Sequence, residues 1–397
     1  MNAFKKRVKR RRSRIWPLPG RTRKRPRPKQ AKPGRETGRL PTGYRFGRRP
    51  GVRRGGPGHT QAGGAAPRAG EKQRLELMAA EAGAHAAFLD GAQGPSSTLK
   101  RMQQGFQDWY LEHAPADLSY REILPIALAF SKGYADASGV TDPWIPLPLK
   151  EGASAIVTAS NEEKTLSAVL SELRKLPFKE IIVVLNGCSD GSFTAVERDP
   201  RVTKLNFPQR LGHDIGRAIG AAAASEPILL FTDGDMVLPA EDLAAFLIAV
   251  DQGMDIALND LSPYLPPFPQ QDEVTRCKAF LNQALGRPDL EANSLTAVPH
   301  AVSRRALQTV GTGALIVPPK AQALALARGL AVGAPHSVDV VRKNRIRSGN
   351  TGAGNGVAQM IIGDHIEALD AVMQTEGVRL RYVTLSRSEL AKARNAL

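Results

Sequence analysis

One stretch constrains this chain more than any other. Ile228-Leu229-Leu230-Phe231-Thr232 is short and apolar and runs directly into Asp233-Gly234-Asp235. An apolar run of this length, without polar alternation, reads as a strand buried on both faces in an α/β sheet. Ligands in such sheets bind beyond the carboxyl ends of the strands, where Asp233 and Asp235 fall. Two carboxylates at i and i+2 can share a hard divalent cation, and the cation can neutralise a diphosphate. Gly234 between them lets backbone approach a ligand closely. The plainer reading is a turn, because Asp-Gly is a common turn pair.

The neighbouring segments continue the pattern. Ala155-Ile156-Val157 reads as a strand, and Glu162 to Leu176 as a helix with Leu166, Val169, Leu170 and Leu173 on one face. Glu180 to Leu185 and Arg201 to Leu205 read as strands, and His213 to Ala224 as an Ala-rich helix. Pro239 to Val250 reads as a helix and Asp255 to Asn259 as a strand. Strands alternating with helices predict a mostly parallel α/β sheet. Upstream, Glu71 to Leu89, Leu99 to Leu111 and Tyr120 to Ser131 read as helices, followed by a linker from Asp142 to Pro148. Downstream, Asn293 to Val302 and Val332 to Val341 read as strands, and Val357 to Met373 as a helix.

Charge divides the chain unevenly. Residues 1–70 hold 23 Lys or Arg and a single acid, Glu36, a net +22, whereas the remainder carries −5. This arm is rich in Gly and Pro and has almost no apolar run, so it cannot offset chain entropy and is expected to be disordered. Such a density of cations supports salt-sensitive binding to nucleic acid or an anionic membrane surface. Its few aromatics, Trp16, Tyr44 and Phe46, give base stacking little support. No apolar stretch of the needed length follows Lys5-Lys6-Arg7, so a secretory signal is not expected, nor is a membrane span. Two cysteines, Cys188 and Cys277, point to a reducing compartment without a disulfide framework. The expectation is a cytoplasmic protein, peripheral at most at an anionic surface.

Three strand ends carry polar clusters: Thr158-Ala159-Ser160-Asn161-Glu162-Glu163, then Asn186-Gly187-Cys188-Ser189-Asp190-Gly191-Ser192, then Asp233-Gly234-Asp235. In a parallel sheet these ends share one edge, so the clusters converge. Each alone is an ordinary cap or turn, and Ser189 and Asp190 are common N-cap residues. Three in this order are much harder to explain that way.

Residues 155–260 resemble the nucleotide-sugar-binding half of a family 2 glycosyltransferase with the GT-A fold, a Rossmann-like nucleotide-diphospho-sugar transferase architecture. The family's opening strand and Asn-Glu-Glu turn are matched by Asn161-Glu162-Glu163. Its Asp-Asp-Gly-Ser-x-Asp-Gly-Thr segment reads here Leu185-Asn186-Gly187-Cys188-Ser189-Asp190-Gly191-Ser192, which puts Asn186 at the acidic base-reading position. Arg210-Leu211-Gly212 to Arg217 resembles the loop and helix before the metal strand, and Asp233-x-Asp235 its metal motif. The resemblance implies a Mn2+- or Mg2+-dependent enzyme moving a sugar from a UDP- or GDP-sugar to an acceptor. It implies Asp235 on the metal, Asp233 on ribose or metal, and Thr158, Glu162 and Asn186 on the nucleoside. Ala159, Asn161, Ser189, Asp190, Gly212 and Gly234 complete that donor pocket, with Arg217 near the phosphates or sugar.

The second half departs from inverting members of the family, which carry an acidic pair near the start of a late helix. The corresponding region, Ile316 to Ala323, has no acid. Either the acceptor base comes from elsewhere, or configuration is retained, the outcome expected here, with the similar retaining glucosyl-3-phosphoglycerate synthases as a model. Their third metal ligand is a histidine, for which His336 is the first candidate and His365 the second; His300 falls near the acceptor side. Lys343, Arg345 and Arg347 could bind an acceptor phosphate, belong to a lid, or simply sit on a solvated loop. Asp364, one helical turn from Glu367, could orient a substrate or merely decorate a surface, and is counted with Asp235 and Arg217 as catalytic. Sugar-1-phosphate nucleotidyl transfer is discounted, because Thr158 to Glu163 lacks the glycines that cradle a triphosphate. The remaining alternative is a nucleic-acid or anionic-surface binder with an inactive body. The expected layout is an arm over 1–70, a helical segment and linker over 71–150, a GT-A domain over 151–380 divided at 260, and a tail over 381–397.

Overall fold

The computed structural model describes residues 69–90, 95–140, 144–341, 356–380 and 386–395. The arm up to residue 68 and the cations Lys343, Arg345 and Arg347 lie outside the described residues. Helices α1 (Ala69–Asp90), α2 (Pro95–His113) and α3 (Tyr120–Ser138) come first. They are followed by β1 (Ala153–Ala159), α4 (Leu166–Arg174), β2 (Glu180–Asn186), α5 (Ser192–Ala195) and β3 (Val202–Phe207). Next come α6 (Ile215–Ala223), β4 (Ile228–Asp233), α7 (Ala240–Asp251) and β5 (Ile256–Asn259). The chain continues through α8 (Glu273–Ala284), β6 (His300–Ser303), α9 (Arg304–Val310), α10 (Pro318–Ala327), β7 (Val332–His336), α11 (Gly356–Glu376) and α12 (Arg387–Asn395).

The strands form one sheet in the order β3-β2-β1-β4-β6-β5-β7. β1 pairs in parallel with β2 and β4, β2 with β3, and β5 with β7, while β6 runs antiparallel between β4 and β5. Strand order reverses at β1 and β4, so their carboxyl ends open a crevice. Period-two alternation sends the strand residues to two cores. Ala155, Val157, Ile181, Val183, Leu185 and Leu230 face one core with Phe106, Phe130, Leu170 and Phe246. Ile156, Ile182, Val184, Leu229 and Phe231 face the other with Ala221, Leu281, Leu307, Leu326 and Val372. Burial on both faces is why these strands read as apolar runs rather than as alternating ones.

The three leading helices share the first of these cores. The Tyr120 hydroxyl of α3 donates to the Glu241 carbonyl of α7. Gln252 Nε2 donates to Leu118 O at 2.9 Å, and the Leu147 N–H donates to Gln103 Oε1 at 3.0 Å. No described helix is long and apolar enough to cross a membrane.

Several elements differ from their expected extent; the strand expected over Val332 to Val341, for one, stops at His336. The helix after β1 starts at Leu166, not Glu162. Asn161 has φ +62, and the Glu162 and Glu163 N–H groups donate to Ser192 Oγ and Asp190 Oδ2 at 2.8 and 3.1 Å. That backbone is already satisfied from the neighbouring strand end, which holds it as a turn. Similarly, only His300–Ser303 of the expected 293–302 strand is extended in the sheet. Asn282 Nδ2 takes the carbonyls of Glu291 and Asn293, both at 2.9 Å, so a side chain replaces a strand partner there.

Candidate active site

β1 and β4 place Thr158 level with Asp233. The Thr158 hydroxyl donates to Asp233 Oδ1 at 2.7 Å. The Gly234 N–H donates to Thr158 O at 2.8 Å, and the Thr165 hydroxyl donates to Gly234 O at 2.7 Å. A Cβ at Gly234 would sit 3.0 Å from Ala159 Cβ and 3.3 Å from Leu166 Cδ1. The carboxylate pair is thus mounted on a tight turn that only glycine fits without a shift.

The ends of β1 and β2 are laced together. Asn161 Oδ1 accepts from the Ser189 N–H at 2.8 Å, and Glu163 Oε2 from the Gly191 N–H at 2.8 Å. Asp190 Oδ1 accepts from the Ser192 N–H and hydroxyl at 3.0 and 2.5 Å. Burial works against the ionised Asp190, yet these bonds hold its carboxyl below the ordinary value.

Asn186 is buried and serves the loop that follows β3. Its Nδ2 donates to Gly212 O at 2.7 Å and its Oδ1 accepts from the Leu211 N–H at 2.8 Å. A carboxylate could make only the second of these bonds.

These elements enclose a cavity of about 550 Å3. Its lining includes Thr158, Ala159, Glu162, Asn186, Gly212, Arg217, Asp233 and Asp235, all expected from the sequence. Asn161, Ser189, Asp190 and Gly234 stand behind this wall, in the turns just described. Arg217 is buried, donates to Leu295 O at 2.8 Å, and lies 3.4 Å from Asp214 Oδ1.

Sequence reasoning missed His213, Asp214 and Lys278, which also line the cavity. His213 Nδ1 lies 3.5 Å from Asp214 Oδ2. The bond to Asp214 raises the His213 pKa, and burial is the main force opposing it. Burial opposes ionisation of Asp214 too, but His213 and Arg217 keep its carboxyl below the ordinary value. Burial lowers the Lys278 pKa. The His-Asp pair stands inside the Arg210–Arg217 segment, where it was readable as a charged pair before a helix. Lys278 sits on α8, outside every recognised motif.

The histidines named as third ligands do not join Asp233 and Asp235 among the cavity-lining residues. His336 Nε2 is 3.0 Å from Asp242 Oδ1, and its ring meets Tyr120 edge-on at 5.5 Å. His365 is buried with Nδ1 on Ile361 O at 2.7 Å, and burial lowers its pKa to about 4. His300 stacks on Phe231 at 5.0 Å, and burial lowers its pKa to about 3. His365 and His300 are therefore neutral near pH 7.

Asp364 follows Val357 and Ile361, which line the cavity, at helical spacing on α11. Burial raises its pKa to about 6, helped by the charges of Asp214 and Glu367. Glu367 Oε1 accepts from Lys320 Nζ at 2.9 Å, tying α11 to the acid-free start of α10.

Among the described residues no group of three His, Cys, Asp or Glu side chains could hold a metal by itself. Asp233 and Asp235 are nevertheless hard oxygen donors at a cavity wall. They fit a Mg2+- or Mn2+-type ion that takes its other ligands from water and substrate phosphates.

Residues 154–272 match the family model described as glycosyl transferase family 2. No curated protein matches the chain in sequence. Among solved structures, the chain is similar to glucosyl-3-phosphoglycerate synthase from Mycobacterium tuberculosis. In complex with phosphoglyceric acid the likeness is 18% identity, 66% of this chain, 85% of that one and TM-score 0.41. In complex with Mn2+, uridine diphosphate and glucosyl-3-phosphoglycerate the values are 17%, 56%, 80% and 0.41. In complex with Mg2+ and uridine diphosphate they are 16%, 55%, 79% and 0.40. The match to the glycosyl transferase family 2 model spans the strands and turns that build the cavity, on a mixed α/β sheet of the GT-A type.

Proposed function

We propose that this glycosyltransferase takes its sugar from a nucleoside-diphosphate donor, a UDP- or GDP-sugar, bound in the cavity at the β1, β2 and β4 ends. One observation carries the reading: Thr158, Glu162, Asn186, Arg217, Asp233 and Asp235 come from separate elements and line one cavity. Asp233 and Asp235 would hold a divalent ion, which when bound supplies positive charge to the donor's diphosphate. Thr158 fixes the rotamer of Asp233 through its 2.7 Å bond. Thr158 and Glu162 border the nucleoside, while Asn186 shapes its loop. Arg217 is held by Leu295 O, so its charge is fixed before substrate arrives, which suits stabilisation of a departing anion.

Asp364, whose pKa burial raises to about 6, follows the cavity-lining Val357 and Ile361 on α11 and is the group that would orient the acceptor. The α10 start offers no carboxylate, so retention of the anomeric configuration is the expected outcome. The test is release of nucleoside diphosphate from a panel of UDP- and GDP-sugars with Mn2+ and without it. A protein that binds none of them with Mn2+ present overturns the donor assignment.

A further inference from the structure

The loop before α6 is held at both ends, and the residue between the two attachments is His213. On the upstream side Asn186 bonds Leu211 and Gly212 at 2.8 and 2.7 Å. On the downstream side Asp214 lies 3.4 Å from Arg217, and Arg217 is anchored on Leu295 O at 2.8 Å. Asp214 Oδ2 lies 3.5 Å from Nδ1 of His213, which directs that nitrogen away from ligand duty. The ring nevertheless lines the cavity shared with Asp233 and Asp235, and its side chain is 49% exposed. A half-exposed imidazole at a cavity wall, with Nδ1 beside a carboxylate, has its other nitrogen available to donate a hydrogen bond.

We propose that His213 is a catalytic residue that donates from Nε2 to the diphosphate of the donor and of the departing nucleotide, with Asp214 as its positioning residue. The proposal rests on the donor reading above. Diphosphate is the chemistry that fits, because the same cavity carries the carboxylate pair together with Arg217 and Lys278. A bound nucleoside monophosphate has one anionic group fewer to reach this donor.

The charged groups around His213 come from several elements. Asp214 and Arg210 share its loop, Arg217 belongs to α6, Asp233 ends β4, and Asp364 belongs to α11. Asp214 and Asp233 favour the imidazolium and Arg217 opposes it. Protonated His213 makes the stronger, charge-assisted bond, so diphosphate binding weakens as pH rises through the His213 pKa.

The experiment is calorimetric titration of the full chain with UDP, UMP, GDP and GMP in Mn2+, from pH 5.5 to 8.5. It compares the unaltered protein with His213→Ala, His213→Gln and Asp214→Asn. In His213→Ala the diphosphate affinity at pH 6 falls about tenfold while the monophosphate affinity holds. His213→Gln restores part of the loss but removes the pH slope. Asp214→Asn shifts that slope to lower pH. His213→Ala with an unchanged preference for diphosphate over monophosphate overturns this assignment and leaves the donor reading intact. An unaltered protein that binds neither diphosphate overturns both.

Discussion

Thr158 and Asp233 face each other across the β1–β4 ladder, and the threonine hydroxyl closes on the aspartate Oδ1 at 2.7 Å. The bond occupies one lone pair of Asp233 and orients the rest of its carboxylate. Asp235, two residues on, lines the same cavity. Asp235→Asn is therefore expected to weaken UDP or GDP binding in Mn2+ about 100-fold with the fold intact. Calorimetry with and without Mn2+ checks this against far-UV circular dichroism. Undiminished Mn2+ dependence in the variant sinks the metal assignment.

Asn186→Asp restores the acid that the family resemblance places there, yet it should harm this protein. The Nδ2 donor to Gly212 O disappears, and a carboxylate oxygen is pressed against that carbonyl. A loss of about 1–3 kcal/mol in unfolding free energy is expected, with a higher KM for the donor. Urea titration and donor saturation curves measure the two. A variant as stable as the parent with an unchanged KM would show that the clip is dispensable.

Gly234→Ala places a methyl 3.0 Å from Ala159 Cβ and 3.3 Å from Leu166 Cδ1 and Thr158 O. The expected penalty is about 1–3 kcal/mol, seen as a lower urea midpoint at constant slope. Weaker Mn2+-dependent binding should accompany it, since both aspartates ride on this turn. An unmoved midpoint would mean the turn yields freely.

Asp364 gives a pH signature in stability. Its pKa rises from 3.8 to about 6 on folding, so the folded chain holds the proton more tightly than the unfolded one. Its contribution favours folding below 3.8 and is lost as pH climbs through about 6. Asp364→Asn is expected to match the parent near pH 4 and to exceed it in Tm at pH 8. Equal Tm values at pH 8 would place Asp364 in ordinary solvent.

Stereochemistry tests the second half. Proton NMR of the first-formed glycoside, from a donor of known anomer, is expected to show retention, with no carboxylate at the start of α10. An early inverted anomer would assign the acceptor base to Asp364, whose raised pKa suits that task.

What the sequence disclosed follows from how local each feature is. Strand β4 and its aspartates were readable because the apolar run and the acids are contiguous. The two-core sheet was readable from strands that stay apolar on both faces. Asn186 was readable as a position but not as a clip, because its partners Leu211 and Gly212 lie on a different loop. His336 drew notice as a histidine on a late strand, but its partner Asp242 sits on α7, a pairing no spacing reveals. Lys278 needed the packing of α8 against the cavity before it meant anything.

The hydroxyl of Tyr120 on the Glu241 carbonyl, and the core that Phe106 and Phe130 share with Phe246, bear on evolution as well as on architecture. The segment that matches the family starts at residue 154, whereas the apolar layer it leans on includes residues as early as Ala79. Cut out alone, the matching portion would leave the flank of α7 around Phe246 without the layer that Phe106 and Phe130 supply. Drift in α1 to α3 is consequently tied to drift in α7, so substitutions on these two surfaces should accumulate in compensating pairs even though neither touches a substrate.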